Sequence, residues 1–208
     1  MNFFGHAVAA SWRRSTPEFT LGAMLPDFAS MLGSRVLEVG HAEVAEGVSW
    51  HHRTDAVFHR LSAFRQWSSM LTRRLADRGA SRGSSLAAGH VGVELLLDGV
   101  LVDREPELRE LYLGALDAVD EVAAHIRWRD DAPQVALLAR QLSARGLPIG
   151  YRDPAIVAER VIRVLVTRPR LAMPPAQAAM LEDELDQLRP TIAAGAGDLC
   201  AELERELG

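Results

Sequence analysis

Hydrophobic positions along this chain recur at helical spacing almost throughout, and no run shows the strict alternation of a half-buried strand. Prolines, glycines and capping residues divide the pattern into segments. The predicted helices are the N-terminal stretch MNFFGHAVAASW, one starting near Phe19 behind Ser15-Thr16-Pro17-Glu18, one over about 61–78, one over 84–102, one from Glu105-Pro106 to about Ile126, one from Asp131-Ala132-Pro133 to Arg145, one from Asp153-Pro154 to Thr167, and a last one after Pro174-Pro175 that Pro190 and the Gly195/Gly197 pair interrupt. The pattern therefore predicts an all-α fold, a single-domain helical bundle over residues 1–208.

Two rows of potential metal ligands recur at intervals of four, the spacing that places side chains on one face of a helix. They lie in the segments HHRTDAVFH and HVGVELLLD, and they are His51, Asp55, His59 and His90, Glu94, Asp98. Positions i, i+4 and i+8 drift by only about 80° around a helix, so each row occupies one face. Two helices packed with these faces inward would concentrate up to six ligating groups in one pocket. Spacing alone leaves open whether His51 or His52 points inward.

The second row belongs to the most apolar predicted helix, which we expect to be buried. Its carboxylates Glu94 and Asp98 would then lie in the interior, where an unpaired carboxylate costs several kcal/mol. A metal ion would offset that cost, and the mixture of imidazole and carboxylate suits Mn²⁺, Fe²⁺ or Zn²⁺. The alternative is a buried salt-bridge network that uses Arg53 and Arg60.

Two lone polar residues among apolar neighbours are further candidates. They are His6 in MNFFGHAV and Asp27 in GAMLPDF, and each alone is more typical of a satisfied core residue or a helix cap than of a metal ligand. We expect His41 and His125 to lie on the surface. The four tryptophans, which we expect in the core, are Trp12, Trp50, Trp67 and Trp128.

Charge and composition exclude several classes of function. The net charge of −5 argues against wholesale nucleic-acid binding. All 23 basic residues are arginine, which excludes lysine chemistry such as a Schiff base or a P-loop. The one cysteine, Cys200, allows no internal disulfide, as expected of a cytoplasmic protein, and reads as a small residue in a helix. We expect no signal peptide and no membrane span. One group of arginines reads as a solvated helix face or a patch for an acidic partner: Arg73, Arg74, Arg78 and Arg82.

The segments MNFFGH, GAMLPDF, WHHRTD and RPRL fall in the order and spacing of the bacterial acyl carrier protein phosphodiesterase family, which the chain resembles from end to end. The resemblance implies an all-helical fold like that of the HD phosphohydrolases. It also implies a Mn²⁺-dependent enzyme that hydrolyses the phosphodiester joining phosphopantetheine to the serine of the carrier protein. The matching positions are His6, Asp27, His51, Arg53, Asp55 and Asp98. The resemblance prefers His51 to His52, where the family tends to have arginine.

The chain also departs from the family pattern. The family has aspartate at the positions of His59 and Glu94 and histidine at the position of Gly99, and His90 has no counterpart. Relative to the family pattern, the chain lacks the imidazole at position 99 and has two others nearby, those of His59 and His90. We interpret this as a rebuilt site that serves a different substrate.

The leading hypothesis is a metal-dependent phosphohydrolase that acts on acyl carrier protein or a small phosphodiester. The metal ligands would be His6, Asp27, His51, Asp55, Glu94 and Asp98. Arg53 would clamp the phosphate, and His59 or His90 would protonate the leaving alkoxide. One alternative is a relative that binds a carrier protein without cleaving it. Redox chemistry at a di-iron site is disfavoured, because the expected Glu-x-x-His pairs are absent.

Overall fold

The computed structural model describes residues 1–130, 134–166 and 168–208. The elements are α1 (Phe3–Ser11), α2 (Pro17–Met31), β1 (Val36–Val39), α3 (Ala42–Phe58), α4 (Ser62–Asp77), α5 (Arg82–Arg104), α6 (Arg109–Asp117), α7 (Val119–Val122), β2 (Ile126–Trp128), α8 (Val135–Arg145), α9 (Pro154–Leu165) and α10 (Ala178–Leu207), with short 3₁₀ turns between some of them. The predicted all-α fold is confirmed, since helices dominate and the strands are short.

Contacts within the chain define two compact units. Unit 1 comprises residues 1–57, 101–148 and 207–208, and unit 2 comprises residues 58–100 and 149–206. The division falls inside long helices, at Val57 near the end of α3 and at Val100 within α5. The single domain over residues 1–208 stays a prediction.

Unit 1 is built around α2, which packs against both α1 and α6. Helix α1 is buried on nearly every side, as its apolar sequence predicts. The strands β1 and β2 pair antiparallel, with Val39 opposite Ile126 and a bulge between Val36 and Glu38. The sequence pattern missed this pair, because segments of four and three residues are too short to show alternation.

Helices α2 and α3 approach each other at two facing glycines. A Cβ added at Gly22 would overlap the carbonyl oxygen of Val44, and one added at Gly47 would overlap that of Phe19. The added Cβ of Gly22 would also lie 2.9 Å from the Cα of Gly47, and the added Cβ of Gly47 would lie 2.8 Å from the Cα of Gly22. Only glycine allows the two backbones to come this close.

Unit 2 contains α4, most of α5, α9 and most of α10. Among the described residues, α5 is the one helix long and apolar enough to cross a membrane by length and composition. The sequence predicts no membrane span, because no uninterrupted apolar run approaches the length needed to cross a bilayer. However, 72% of its most apolar window is buried within the protein, as in the core helix of a folded domain.

Two predicted helix boundaries are wrong. The segment from Glu105 to Ile126 is not one helix but a 3₁₀ turn, α6, α7, a second 3₁₀ turn and the start of β2. Conversely, α10 runs without interruption through Pro190 and Gly195. Pro190 is tolerated because it faces solvent, and Gly195 is required because the Trp67 ring lies 2.7 Å from its would-be Cβ.

The other predicted helices are found with small shifts at their ends. Asp153 caps α9 by accepting a hydrogen bond from the Ala155 amide at 2.9 Å. The predicted start at Asp131-Ala132-Pro133 and the predicted end at Thr167 lie outside the described residues.

We predict that Gly22→Ala or Gly47→Ala lowers the free energy of unfolding by about 1–3 kcal/mol, because the added methyl group forces α2 and α3 apart. Urea unfolding monitored by circular dichroism measures the change. Gly114→Ala in α6 is the matched control, since its Cβ would meet only Pro17 at an ordinary 3.5 Å. We expect that control to be neutral or stabilising by up to about 1 kcal/mol, and equal losses in all three variants would contradict the tight crossing.

Candidate metal centres

Three ligand-type side chains from three helices converge inside unit 1. His6 of α1, Asp27 of α2 and His51 of α3 each place one ligating atom within 4.8 Å of the other two. His6 is fully buried and its ring stacks on that of His51, with the centroids 3.9 Å apart. We call these three residues the first cluster. Spacing along the sequence could not have joined them, because they come from separate segments.

His51 is oriented by the backbone of α2. Its Nδ1 lies 2.8 Å from the carbonyl oxygen of Ala23, which only accepts, so Nδ1 carries the proton and Nε2 keeps its lone pair. Burial, reinforced by the neighbouring His6, lowers the pKa of His51 from 6.5 to about 3. His51 is therefore a neutral imidazole at physiological pH, which is the form that binds metal ions. His52 is exposed, so His51 is the residue that faces inward.

Asp55 lies one turn beyond His51 on α3 and pairs with two positively polarised groups. Its Oδ1 accepts a hydrogen bond from the Met1 ammonium at 2.8 Å and lies 3.4 Å from Nε2 of His6. Burial alone would raise the pKa of Asp55, but the His6 contact and the ammonium hold it well below its usual value. Asp55 is therefore a carboxylate at every physiological pH.

A second set of ligand-type side chains lies in unit 2. His59, just past the end of α3, and His90 and Glu94 of α5 place one ligating atom each within 4.8 Å of the others. The Nε2 atoms of both histidines lie near the same carboxylate oxygen, Glu94 Oε1, at 3.0 and 3.1 Å. We call these residues the second cluster. Burial would raise the pKa of Glu94, but hydrogen bonds with both imidazoles help to lower it below its usual value.

Each of the two clusters contains members of the predicted rows, and the prediction that both rows share one pocket stays a prediction. His51 belongs to the first cluster and His59 to the second, while His6 and Asp27 join from outside the rows. Asp98 is buried, with 1% of its surface exposed, as the apolar helix predicted. Its role as a metal ligand stays a prediction.

Steric crowding explains why position 99 holds glycine and not the histidine that the family resemblance implies. A Cβ at this position would overlap the carbonyl oxygen of Tyr151, and the amide nitrogen of Arg152 would lie 2.9 Å away. The backbone that leads into α9 therefore occupies the space of a side chain. No residue larger than glycine fits here without moving that backbone.

Arg53 points away from the first cluster. It lies two positions after His51, which places it about 160° around α3. Its guanidinium donates a hydrogen bond to the Leu207 carbonyl at 2.6 Å and lies 5.7 Å from the centre of the Trp50 ring. Arg53 and Arg60 are both exposed, so neither supplies the buried salt-bridge network considered from the sequence.

Arg53 instead helps to line a cleft in unit 1 that the sequence analysis missed. The cleft encloses about 510 Å³, and its charged side chains are Arg13, Arg14, Glu46 and Arg53. Arg13 also lies over the Trp50 ring, at 5.6 Å, whereas Arg14 forms ion pairs with Glu43 and Glu46 at 3.4 and 3.0 Å. The signal available in the sequence was the adjacent arginine pair directly after an apolar helix. We call this feature the arginine cleft.

The predicted positions of the isolated histidines and of the tryptophans are only partly confirmed. His125 is exposed as predicted, whereas His41 is half-buried. Trp50, Trp67 and Trp128 are in the core as predicted, but Trp12 is only half-buried.

Two of the four arginines of the predicted basic patch, Arg74 and Arg78, are paired with acidic residues of α10. Arg78 donates hydrogen bonds to Glu184 at 2.9 Å and to Asp183 at 3.1 Å, and Arg74 lies 3.8 Å from Glu184. These contacts within unit 2 leave less positive charge for an acidic partner.

Comparison of the chain with protein-family models, with curated proteins and with solved structures finds no match. The likeness to acyl carrier protein phosphodiesterases therefore stays a prediction made from sequence segments.

We predict that acid destabilises the metal-free protein through His51. The unfolded chain takes up a proton at this residue below pH 6.5, whereas the folded chain does so only near pH 3, so lowering the pH favours unfolding in that window. Lowering the pH from 7.5 to 5 should reduce the free energy of unfolding by about 2 kcal/mol through this residue. Urea unfolding at both pH values, with chelator present, should show that the stability difference between the wild type and His51→Gln shrinks by about that amount. A difference that does not change with pH would refute the prediction.

Proposed function

We propose that the chain is a metal-dependent phosphohydrolase that acts on a phosphodiester, with a divalent cation held by the first cluster. The observation that carries this proposal is the convergence of His6, Asp27 and His51 from three helices within 4.8 Å. Two buried imidazoles and one half-buried carboxylate in one place form a donor set that requires a cation able to take both nitrogen and oxygen ligands. A cation of the Mn²⁺, Fe²⁺ or Zn²⁺ type meets that requirement, and Mn²⁺ is the choice that the family resemblance favours.

The residues fit such an ion in two respects. Metal-binding histidines commonly donate their other ring N–H to a backbone carbonyl, as His51 does to Ala23. Asp27 would supply an oxygen ligand to such an ion, and Asp55, which lies 3.4 Å from Nε2 of His6, would add negative charge beside it. When bound, the cation would supply a nucleophile at neutral pH and neutralise charge on the phosphoryl oxygens.

The protein's own residues prepare this chemistry. The stacked rings of His6 and His51 fix each other's orientation, and the Ala23 carbonyl fixes the tautomer of His51. Complete burial of His6 keeps bulk water away from that side of the cluster. Electrostatic interactions are stronger in such a dry environment than in water.

The arginine cleft supports a substrate that carries further negative charge. Within the part of the chain that the structure describes, the ion pairs of this cleft are those of Arg14, and none joins Arg13 or Arg53 to a carboxylate. Both guanidinium groups lie over Trp50, and each can bind two oxygens of a phosphate or carboxylate. An acidic partner such as an acyl carrier protein would dock there. Arg53 would then bind the partner, and the phosphate-clamp role given to it from the sequence is not part of the proposal.

The second candidate function is a carrier-protein-binding relative that does not catalyse hydrolysis. Gly99 favours it, because the Tyr151 backbone fills the space of the histidine that the family resemblance implies. The first cluster does not depend on that position, which keeps hydrolysis as the leading proposal.

We predict that the purified protein hydrolyses bis-p-nitrophenyl phosphate or holo acyl carrier protein when Mn²⁺ is present, and that chelation abolishes the activity. Asp27→Asn should reduce the rate at least about 100-fold, because it removes an anionic ligand while keeping the shape of the side chain. His125→Gln, at an exposed histidine, is the matched control and should keep full activity. Unchanged carrier protein retained for hours on immobilised wild-type protein would instead establish the binding-only function.

We predict that the arginine cleft contributes to binding of the carrier protein but not to the hydrolysis step. Arg13→Gln and Arg53→Gln together should raise the KM for holo acyl carrier protein about 10-fold or more, in a salt-dependent manner, because two charge-assisted contacts are lost. Hydrolysis of the small diester should not change. Arg163→Gln removes an exposed arginine outside the cleft and is the control. Parallel losses on both substrates would show that the cleft is part of the catalytic site.

A further inference from the structure

We infer that His59, His90 and Glu94 form a second cation site, which takes Zn²⁺ and leaves one coordination position open to a neighbouring cleft. The inference does not depend on the proposed phosphohydrolase activity, because the second cluster shares no residue with the first. Two imidazoles and one glutamate are a donor set found in catalytic zinc sites, which keep a fourth position for water or substrate.

The distances in the second cluster already resemble those between ligands of one ion. Zinc binds imidazole nitrogen and carboxylate oxygen at about 2.0–2.2 Å, so two tetrahedral ligands lie about 3.4 Å from each other. The observed separations from Glu94 Oε1 to the two Nε2 atoms are 3.0 and 3.1 Å. An ion at this position would lengthen these two separations by only about 0.3–0.4 Å.

Aromatic packing holds the two imidazoles in place. The Phe64 ring lies 5.2 Å from the ring of His59 and 5.2 Å from that of His90, and it packs in turn on Phe58 at 4.4 Å. The two imidazole rings themselves lie 4.8 Å apart. Their arrangement therefore depends on a rigid apolar support and on the helical spacing of His90 and Glu94.

The open side of the cluster faces a cleft of about 320 Å³. Both histidines line it, together with Phe64, Arg65, Ser68 and Thr72. The Ser68 hydroxyl is buried there without a hydrogen-bond partner among the described residues. The cleft thus offers access for an ion and for a small anion that could occupy the fourth position beside Arg65.

The experiment is a titration of the metal-free full-length protein with Co²⁺, which substitutes for Zn²⁺ and absorbs visible light strongly in four- or five-coordinate sites. We expect visible bands that Zn²⁺ abolishes. Asp27→Asn, which disables the first cluster, should keep these bands, and adding His90→Gln to that variant should abolish them and weaken Co²⁺ binding more than about 100-fold. The side chain of His90 is 46% exposed, so its replacement does not threaten the fold. His125→Gln is the matched control and should keep both the bands and the affinity.

Azide tests the open coordination position, and the His90→Gln and Glu94→Gln variants test the site itself. Azide should shift the bands if a position is open, and bands that do not respond would overturn the open position. Absence of bands in the wild type, or unchanged bands in both His90→Gln and Glu94→Gln, would overturn the site itself.

The same variants separate this inference from the proposed function. Asp27→Asn should keep the visible bands, because it leaves the second cluster intact. Bands that Asp27→Asn keeps, in a protein whose wild type hydrolyses no phosphodiester, would support the second site and refute the phosphohydrolase.

Discussion

The close approach of α2 and α3 at Gly22 and Gly47 is the constraint on which the first cluster depends. Because neither glycine has a side chain, the two backbones come within contact distance. That approach places His51 beside the Ala23 carbonyl, one residue after Gly22, at 2.8 Å. A larger residue at either glycine would separate the helices and break this hydrogen bond while leaving every ligand in the sequence unchanged. The geometry of the cluster is therefore a property of helix packing as much as of the ligands.

Burial explains why the first cluster combines neutral and charged groups. A buried imidazole can avoid the desolvation penalty by losing its proton, and the low pKa of His51 has this cause. The carboxylate of Asp55 stays charged, because its contacts with His6 and the Met1 ammonium outweigh the desolvation penalty. In the proposed enzyme, a divalent cation would add a further attraction for Asp27 and Asp55. The stability of the cluster and its affinity for metal are then linked, since an ion that binds only the folded state stabilises that state.

The sequence was most informative where a local rule decides the structure. Helical spacing predicted the all-α fold, the apolar spacing of α5 predicted the burial of Asp98, and Asp153-Pro154 predicted the start of α9. It failed where tertiary contacts override local preference. Gly195 reads as a helix breaker but is required by the Trp67 ring, and the short strands β1 and β2 form only because they pair with each other. The convergence of residues from α1, α2 and α3 is likewise not encoded in any single spacing.

The row His51, Asp55, His59 illustrates this limit and also what the structure adds. Eight residues of helix rise about 12 Å, so a row of this length can contribute ligands to more than one ion. A periodic row of ligands identifies the face that carries the chemistry but not how many sites it serves. The number of sites depends on which other helices contribute residues: α1 and α2 contribute to the first cluster, and α5 contributes to the second. The two sets also differ in exposure, since His6 is fully buried whereas the side chain of His90 is 46% exposed. An ion in the buried set would exchange slowly and depend on the fold, whereas an ion beside the open cleft would exchange with solvent and with anions.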